Sequence, residues 1–220
     1  MTLTLHHCHE ARSMRSLWLI HELGLDADVI VHPFGRELRD PAYLAVHPLG
    51  RVPALIDGPV TLFESGAIAE YLCETYARDS GLWRAPGTPD RAEWLQWLHY
   101  AETVSVHVAS LTQQILVITD PALQSPTLVK LETRRLEKAL GVVEDRLEGR
   151  DHLLASGFSA VDVGVGYSIH IARLFTDLAA FPQVAAYYAR LSQRPAFRAA
   201  LPAPDAAHRI YTRERYFEPS

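Results

Sequence analysis

Cysteine is scarce in this chain, and its absence narrows the choices early. Cys8 and Cys73 are the only two in 220 residues, far apart and in unlike surroundings. A disulfide framework is therefore not expected, and a reducing compartment, the cytoplasm, is the expected location. Long apolar runs are missing too: no window approaches the roughly 20 consecutive apolar residues that a membrane span requires. Met1-Thr2-Leu3-Thr4-Leu5 has no basic segment leading into an apolar stretch, so a secretory signal is not expected. Positive charge is in deficit, with 21 Lys and Arg against 26 Asp and Glu, a net charge of -5. With no basic cluster interleaved with aromatics, nucleic acid is not an expected partner.

What is present is a soluble composition patterned in two halves. Leu3 to His6 is a short β-compatible run, and Leu17, Ile20 and Leu23 then recur at helical spacing until Gly24. Val29-Ile30-Val31 makes a second β-rich run inside residues 28–34. A looser segment, 35–47, contains Asp40-Pro41. Ala54-Leu55-Ile56 and Val60-Thr61-Leu62-Phe63 flank Asp57-Gly58-Pro59, a hairpin signal. Ile68, Ala69, Leu72 and Tyr76 follow Ser65 as a helix. The order β-α-β-(helix)-β-β-α is that of a thioredoxin-like domain, although pattern alone leaves other small α/β folds open.

Residues 78–89 turn to glycine, proline and polar residues and read as a linker. Trp94, Trp97, Ala101, Val104, Val108, Leu111 and Ile115 then form a long helical stripe. Ser125-Pro126 reads as an N-cap with proline at the first helical position, and Val129, Leu136, Leu140, Val143 and Leu147 continue that helix to Gly149. Residues 161–171 resist, because apolar Val161, Val163, Val165, Tyr167, Ile169 and Ile171 alternate strictly with other types, as in a strand. Against that pattern, Ser159 and Asp162 have the spacing of a capping box, with Phe158 placed to staple onto Val163. Helix is the reading adopted.

The segments that carry chemistry are His47-Pro48-Leu49-Gly50-Arg51-Val52-Pro53-Ala54-Leu55 and Leu62-Phe63-Glu64-Ser65-Gly66-Ala67. An X-Pro bond is the one peptide bond that adopts cis at small cost. A cis bond at Val52-Pro53 would turn the Val52 N–H and C=O outward, where an extended peptide could pair with them as an added strand. Taken alone, Pro53 reads equally as a proline at a strand start. Ser65 stands where a strand gives way to a helix, so its hydroxyl and the first helical amides make an anion site; alone, it reads as a cap.

Together these segments resemble the glutathione-binding half of the cytosolic glutathione S-transferases, and the resemblance extends over nearly the whole chain. It implies a thioredoxin-like N-terminal domain (residues 1–78), a linker (79–88) and an all-α C-terminal domain (89–220). It implies glutathione as co-substrate, its cysteinyl backbone on Val52 beside Pro53. The γ-glutamyl carboxylate would lie on Ser65 and the ammonium on Glu64. Arg51 and Arg36 are candidates for the glycyl carboxylate. The electrophile would be small and apolar, in a pocket walled by the first strand-helix loop and by the helix of Trp97, Tyr100, Glu102 and Val104. A homodimer is expected, through the helix after Ser65 and the long helix after Pro89.

The sulfur-activating position follows the first strand, where members carry a tyrosine, a serine or a cysteine. Here the chain reads His6-His7-Cys8-His9-Glu10-Ala11-Arg12-Ser13-Met14-Arg15. It looks like the bacterial and fungal branch with Ser-Arg-Ser-x-Arg, but the first serine is Ala11. Ser13, donating to the thiolate, and Arg12, adding positive charge, become the catalytic candidates; a plain N-cap is the other reading of Ser13. Arg15 is expected to pair with an acid beneath the site. Cys8 suggests a glutathione-dependent disulfide reductase or peroxidase as an alternative, without a Cys-x-x-Cys partner. His6, His7 and His9 suggest a metal, but successive strand residues face opposite sides and no second ligand cluster exists, so none is expected. A non-catalytic glutathione-binding protein on the same fold, an isomerase and a dehalogenase also remain open.

Overall fold

The computed structural model describes residues 3–78 and 80–217. Asp79 of the expected linker and residues 218–220 of the C-terminal stretch lie outside them. Grouped by proximity, the chain forms two compact units, Met1–Gly87 with Ser192–Thr212, and Thr88–Leu191 with Arg213–Ser220.

The first unit opens with β1 (Leu3–His7), α1 (Ser13–Glu22) and β2 (Ala27–Val31). After a 3-10 turn (Arg36–Arg39) and the short α2 (Pro41–Leu44) come β3 (Ala54–Asp57), β4 (Val60–Phe63) and α3 (Ser65–Tyr76). The sheet order is β2-β1-β3-β4, with β1 parallel to β2 and antiparallel to β3, and β3 antiparallel to β4. This is the thioredoxin-like arrangement. The parallel pair needs a crossover, which α1 supplies; the antiparallel pair needs only the Gly58-Pro59 turn, Gly58 having φ of 56°. Leu5, Trp18, Leu55, Ile68 and Leu72 meet as its fully buried core. Residues 192–212 add α8 (Pro195–Ala200), which packs along α1 and sets Phe197 edge-on to Trp18 with ring centroids 4.9 Å apart.

The second unit is helical. α4 (Arg91–Thr112) widens into a π-helical turn at Gln113–Val117, and α5 (Pro126–Leu147) starts as the sequence indicates, Ser125 Oγ accepting the Leu128 N–H at 3.2 Å. The alternating segment is α6 (Ala160–Ala172), and all of it is buried. Burial on every side removes the one-sided pattern by which a helix is usually read. Its start is fixed by the capping box of Ser159 and Asp162. Asp162 Oδ1 also accepts from the Leu153 N–H at 3.0 Å and the Tyr187 hydroxyl at 2.7 Å. Gly164 sits in a close approach: a Cβ there would stand 3.3 Å from that of Ala101 on α4, a tight contact. α7 (Pro182–Ser192) completes the helices.

Candidate functional site

Three segments of the first unit converge in the fold: the turn between β1 and α1, the loop into β3, and the start of α3. The first is a tight turn in which the Ala11 N–H returns to Cys8 O at 3.2 Å. Glu10, its third residue, has φ of 62°. A non-glycine residue in this region costs roughly 1–2 kcal/mol, and such outliers gather at functional sites. Ala11 and Arg12 are half-exposed at the end of the turn, and Arg12 precedes the first residue of α1.

Ser13, expected at the sulfur, lies inside. It is fully buried; its Oγ accepts the Cys8 N–H at 3.1 Å and lies 2.9 Å from His7 Nδ1 and 3.2 Å from Cys8 O. The hydroxyl knits the turn to β1. The histidines disperse as strand alternation requires. His6 Nδ1 meets His32 Nε2 at 2.8 Å and its ring stacks on that of His32, whereas His7 points to Ser13 on the other side. Among the described residues no group of three or more His, Cys, Asp or Glu could hold a metal ion. Cys8 is buried with Leu38 and Tyr43, and burial pushes its thiol up to about 12. Only a thiolate attacks, so burial disfavours the reactive form of Cys8.

The second segment holds a cis Val52–Pro53 bond. Val52 is half-buried, and neither its N–H nor its C=O makes a hydrogen bond within the described residues. The loop is braced from below by the Tyr43 hydroxyl, which donates to Arg51 O at 2.5 Å, and by Gly50, whose N–H returns to His47 O at 2.8 Å. The Arg51 and Arg36 side chains are exposed, on the loop and on the 3-10 turn respectively. Tyr43 had no signal in the sequence beyond an aromatic residue following Asp40-Pro41, whose aspartate caps α2.

The third segment begins at Glu64, exposed and with φ of 74°, which turns β4 into α3. Ser65 is the first residue of α3 and is buried, and its Oγ accepts from Arg15 Nη1 at 2.9 Å. Arg15 therefore braces a serine from beneath, a pairing that a single sequence does not signal because positions 15 and 65 are fifty residues apart. On α4, Trp97 and Val104 turn into the core of the helical unit and Glu102 is exposed. The Tyr100 hydroxyl donates to Ala139 O at 3.1 Å. Trp97 and Val104 thus do not offer a free wall within that unit.

Comparison with known proteins adds weight to these features. The family description "Glutathione S-transferase, N-terminal domain" matches residues 1–74. Glutathione S-transferase 3 of Zea mays is 30% identical over 204 residues, 87% of this chain and 90% of the maize protein. The chain belongs to the glutathione S-transferase family. Glutathione S-transferase F9 of Arabidopsis thaliana is likewise 30% identical, over 90% of this chain and 95% of that protein. Among solved structures, the glutathione transferase URE2P6 of Phanerochaete chrysosporium, in complex with oxidized glutathione, superposes with a TM-score of 0.82. It is 26% identical and covers 90% of this chain and 94% of its own. Family members thus share both the thioredoxin-like unit and the helical one.

Proposed function

We propose that this chain binds glutathione and conjugates its thiolate to a small apolar electrophile, as a glutathione transferase: the thiol gives up its proton, a sulfur–carbon bond forms, and the electrophile expels its leaving group where it has one. One observation carries the reading: the unengaged N–H and C=O of Val52 at a cis proline lead into β3 and Ser65 follows β4, both at the open end of the hairpin where Ala54 pairs with Phe63. The cysteinyl backbone pairs with Val52 as an added strand. Ser65 Oγ accepts from the Arg15 guanidinium and keeps its own proton to donate to the γ-glutamyl carboxylate. The first amides of α3 add the positive end of a 12-residue helix. Glu64 meets the ammonium, and Arg51 and Arg36 reach for the glycyl carboxylate.

Activation of the sulfur falls to Arg12 and the start of α1. A helix N-terminus favours an anion by roughly 0.3–1 kcal/mol, less than one pKa unit. A thiol that begins near 8.5 then stays largely protonated at neutral pH. Ser13 serves as a brace for the turn, through the Cys8 N–H and His7. This makes the transferase a slow one whose rate climbs toward alkaline pH. The second reading, glutathione binding without conjugation, is favoured by one observation: Ala11 brings no hydroxyl to the turn. Calorimetric titration with glutathione tests the first step, and absence of heat overturns the whole reading. Conjugation of an aromatic halide at pH 7 and pH 9 tests the second. Binding without turnover at either pH selects the non-catalytic protein, and an Arg12→Ala variant as fast as the parent removes Arg12 from the chemistry.

We further propose the division into a glutathione-binding domain (1–78), a linker (79–88) and a helical domain (89–220), and assembly as a homodimer in the cytoplasm with a detoxifying role. The two buried free cysteines suit a reducing compartment. Arg12-Ser13-Met14-Arg15 after Ala11, and the likeness to the Phanerochaete protein, support a place in the bacterial and fungal branch.

A further inference from the structure

We infer that residues 203–212 form a strap that holds the β1–α1 turn in its working shape through Glu10, so that Glu10 and Arg209 are positioning residues for the thiol step. The inference rests on the glutathione-transferase reading. The Glu10 carboxylate is 5% exposed and collects donors from one short stretch of chain about two hundred positions away. Its Oε1 accepts from Arg209 Nε at 3.2 Å and Nη2 at 2.7 Å, and its Oε2 from the N–H groups of Ile210 and Tyr211 at 3.0 Å each. A carboxylate held by a guanidinium and two backbone amides is a strong, directional anchor.

The same segment is fixed at the far end of α1. Arg194 donates from Nε and Nη2 to Glu22 at 2.6 and 2.7 Å, and Phe197 packs on Trp18. The chain from 194 to 211 therefore accompanies α1 from its last turn to the loop before its first residue. At that loop Glu10 occupies the turn position with φ of 62°, where glycine is the least strained choice. The next two residues, Ala11 and Arg12, are the ones that face the sulfur in the proposed reaction. The groups that hold the tripeptide backbone, Val52 and Ser65, lie on other elements. Loosening the strap therefore disturbs the sulfur and spares the backbone grip.

The test compares the parent with Arg209→Ala, Arg209→Lys and Glu10→Gln. S-methylglutathione, which keeps the tripeptide but has no ionisable thiol, reports the backbone grip by calorimetry. Thiolate absorbance of bound glutathione against pH reports the sulfur, and conjugation of an aromatic halide reports kcat. In Arg209→Ala the S-methylglutathione Kd is expected to stay within about twofold. The thiol pKa rises and kcat falls about tenfold or more, as expected when a reacting atom is misplaced. Arg209→Lys recovers part of both, and Glu10→Gln resembles Arg209→Ala. Unchanged thiol pKa and kcat in a folded Arg209→Ala overturn the strap, and so does a loss of S-methylglutathione affinity in step with kcat. Should Arg209→Ala not fold, the same criteria apply to Arg209→Lys and Glu10→Gln. If the parent binds neither ligand, the transferase reading has failed. The strap is then judged by amide exchange at residues 8–12, which is faster in the variants if it exists and unchanged if it does not.

Discussion

Arg15 on α1 donates from Nη1 to the hydroxyl of Ser65 at the start of α3, at 2.9 Å and across fifty positions of sequence. Both side chains are buried, so the contact joins two helices beneath the proposed γ-glutamyl position. Removing the guanidinium with Arg15→Met frees the hydroxyl to rotate. A hydrogen bond to a charged group contributes roughly 1.5–3 kcal/mol, so glutathione affinity should fall about tenfold or more. Ser65→Ala should lose a similar amount, and the double variant little beyond either one. Calorimetry on the four proteins of this cycle decides it, and strictly additive losses would separate Arg15 from the ligand.

The buried Ser13 and the methyl of Ala11 together predict a gain of function. Ser13 is occupied by the Cys8 N–H and His7, whereas Ala11 lies half-exposed in the turn with no hydroxyl to offer. Ala11→Ser should place a donor beside the sulfur, lower the pKa of bound glutathione by about one unit and raise kcat at pH 7 about tenfold. Thiolate absorbance and conjugation rate measure the two effects. An unchanged thiol pKa would mean that position 11 does not face the sulfur.

How much of this was legible beforehand depended on how local each signal was. Gly58-Pro59, Ser125-Pro126 and the Ser159–Asp162 box act within four residues, and all appear where the sequence placed them. The strand-like alternation of α6 misled because every face of that helix is buried, so its apolar and small residues answer to packing, as Gly164 does against Ala101. Ser13 could not be oriented from its neighbours, since His7 and Cys8 compete for its hydroxyl only once β1 and α1 have folded together. Arg209 on Glu10 and Tyr43 under Arg51 are tertiary pairings, which leave no period or spacing to read.

His7 makes stability depend on pH. It is buried, with Nε2 unpartnered, and burial lowers its pKa to about 4, the neighbouring His9 adding to the effect. The unfolded chain takes up the proton near 6.5, so between these values it binds more protons than the folded one, and stability falls as pH falls. The contribution, roughly 3 kcal/mol, is fully present above pH 6.5 and is lost progressively toward pH 4. His6, His9, His21, His32 and His47 are lowered in the same direction. His7→Asn keeps a hydrogen-bonding amide toward Ser13 without a titrating ring, and should flatten the fall in Tm between pH 7 and pH 4.5. A slope identical to the parent's would remove His7 from the acid response.

Gly50 and Gly24 separate backbone strain from steric conflict, since φ is 58° at one and 63° at the other. A Cβ at Gly24 would meet nothing within 4 Å, whereas at Gly50 it would stand 2.4 Å from Leu38 O, a backbone atom that cannot swing aside. Gly24→Ala therefore bears only the left-handed strain of roughly 1–2 kcal/mol. Gly50→Ala bears that and must also push the loop off the 3-10 turn that ends at Arg39. Because Val52 follows two residues later, the displacement reaches the groups proposed to pair with the peptide. Gly50→Ala should lower Tm by about 5 °C or more and weaken glutathione binding about tenfold. Gly24→Ala should lower Tm less and leave binding as it was. Thermal melts and calorimetry on the pair provide the comparison, and equal losses of affinity would show that the close approach to Leu38 has no part in holding Val52.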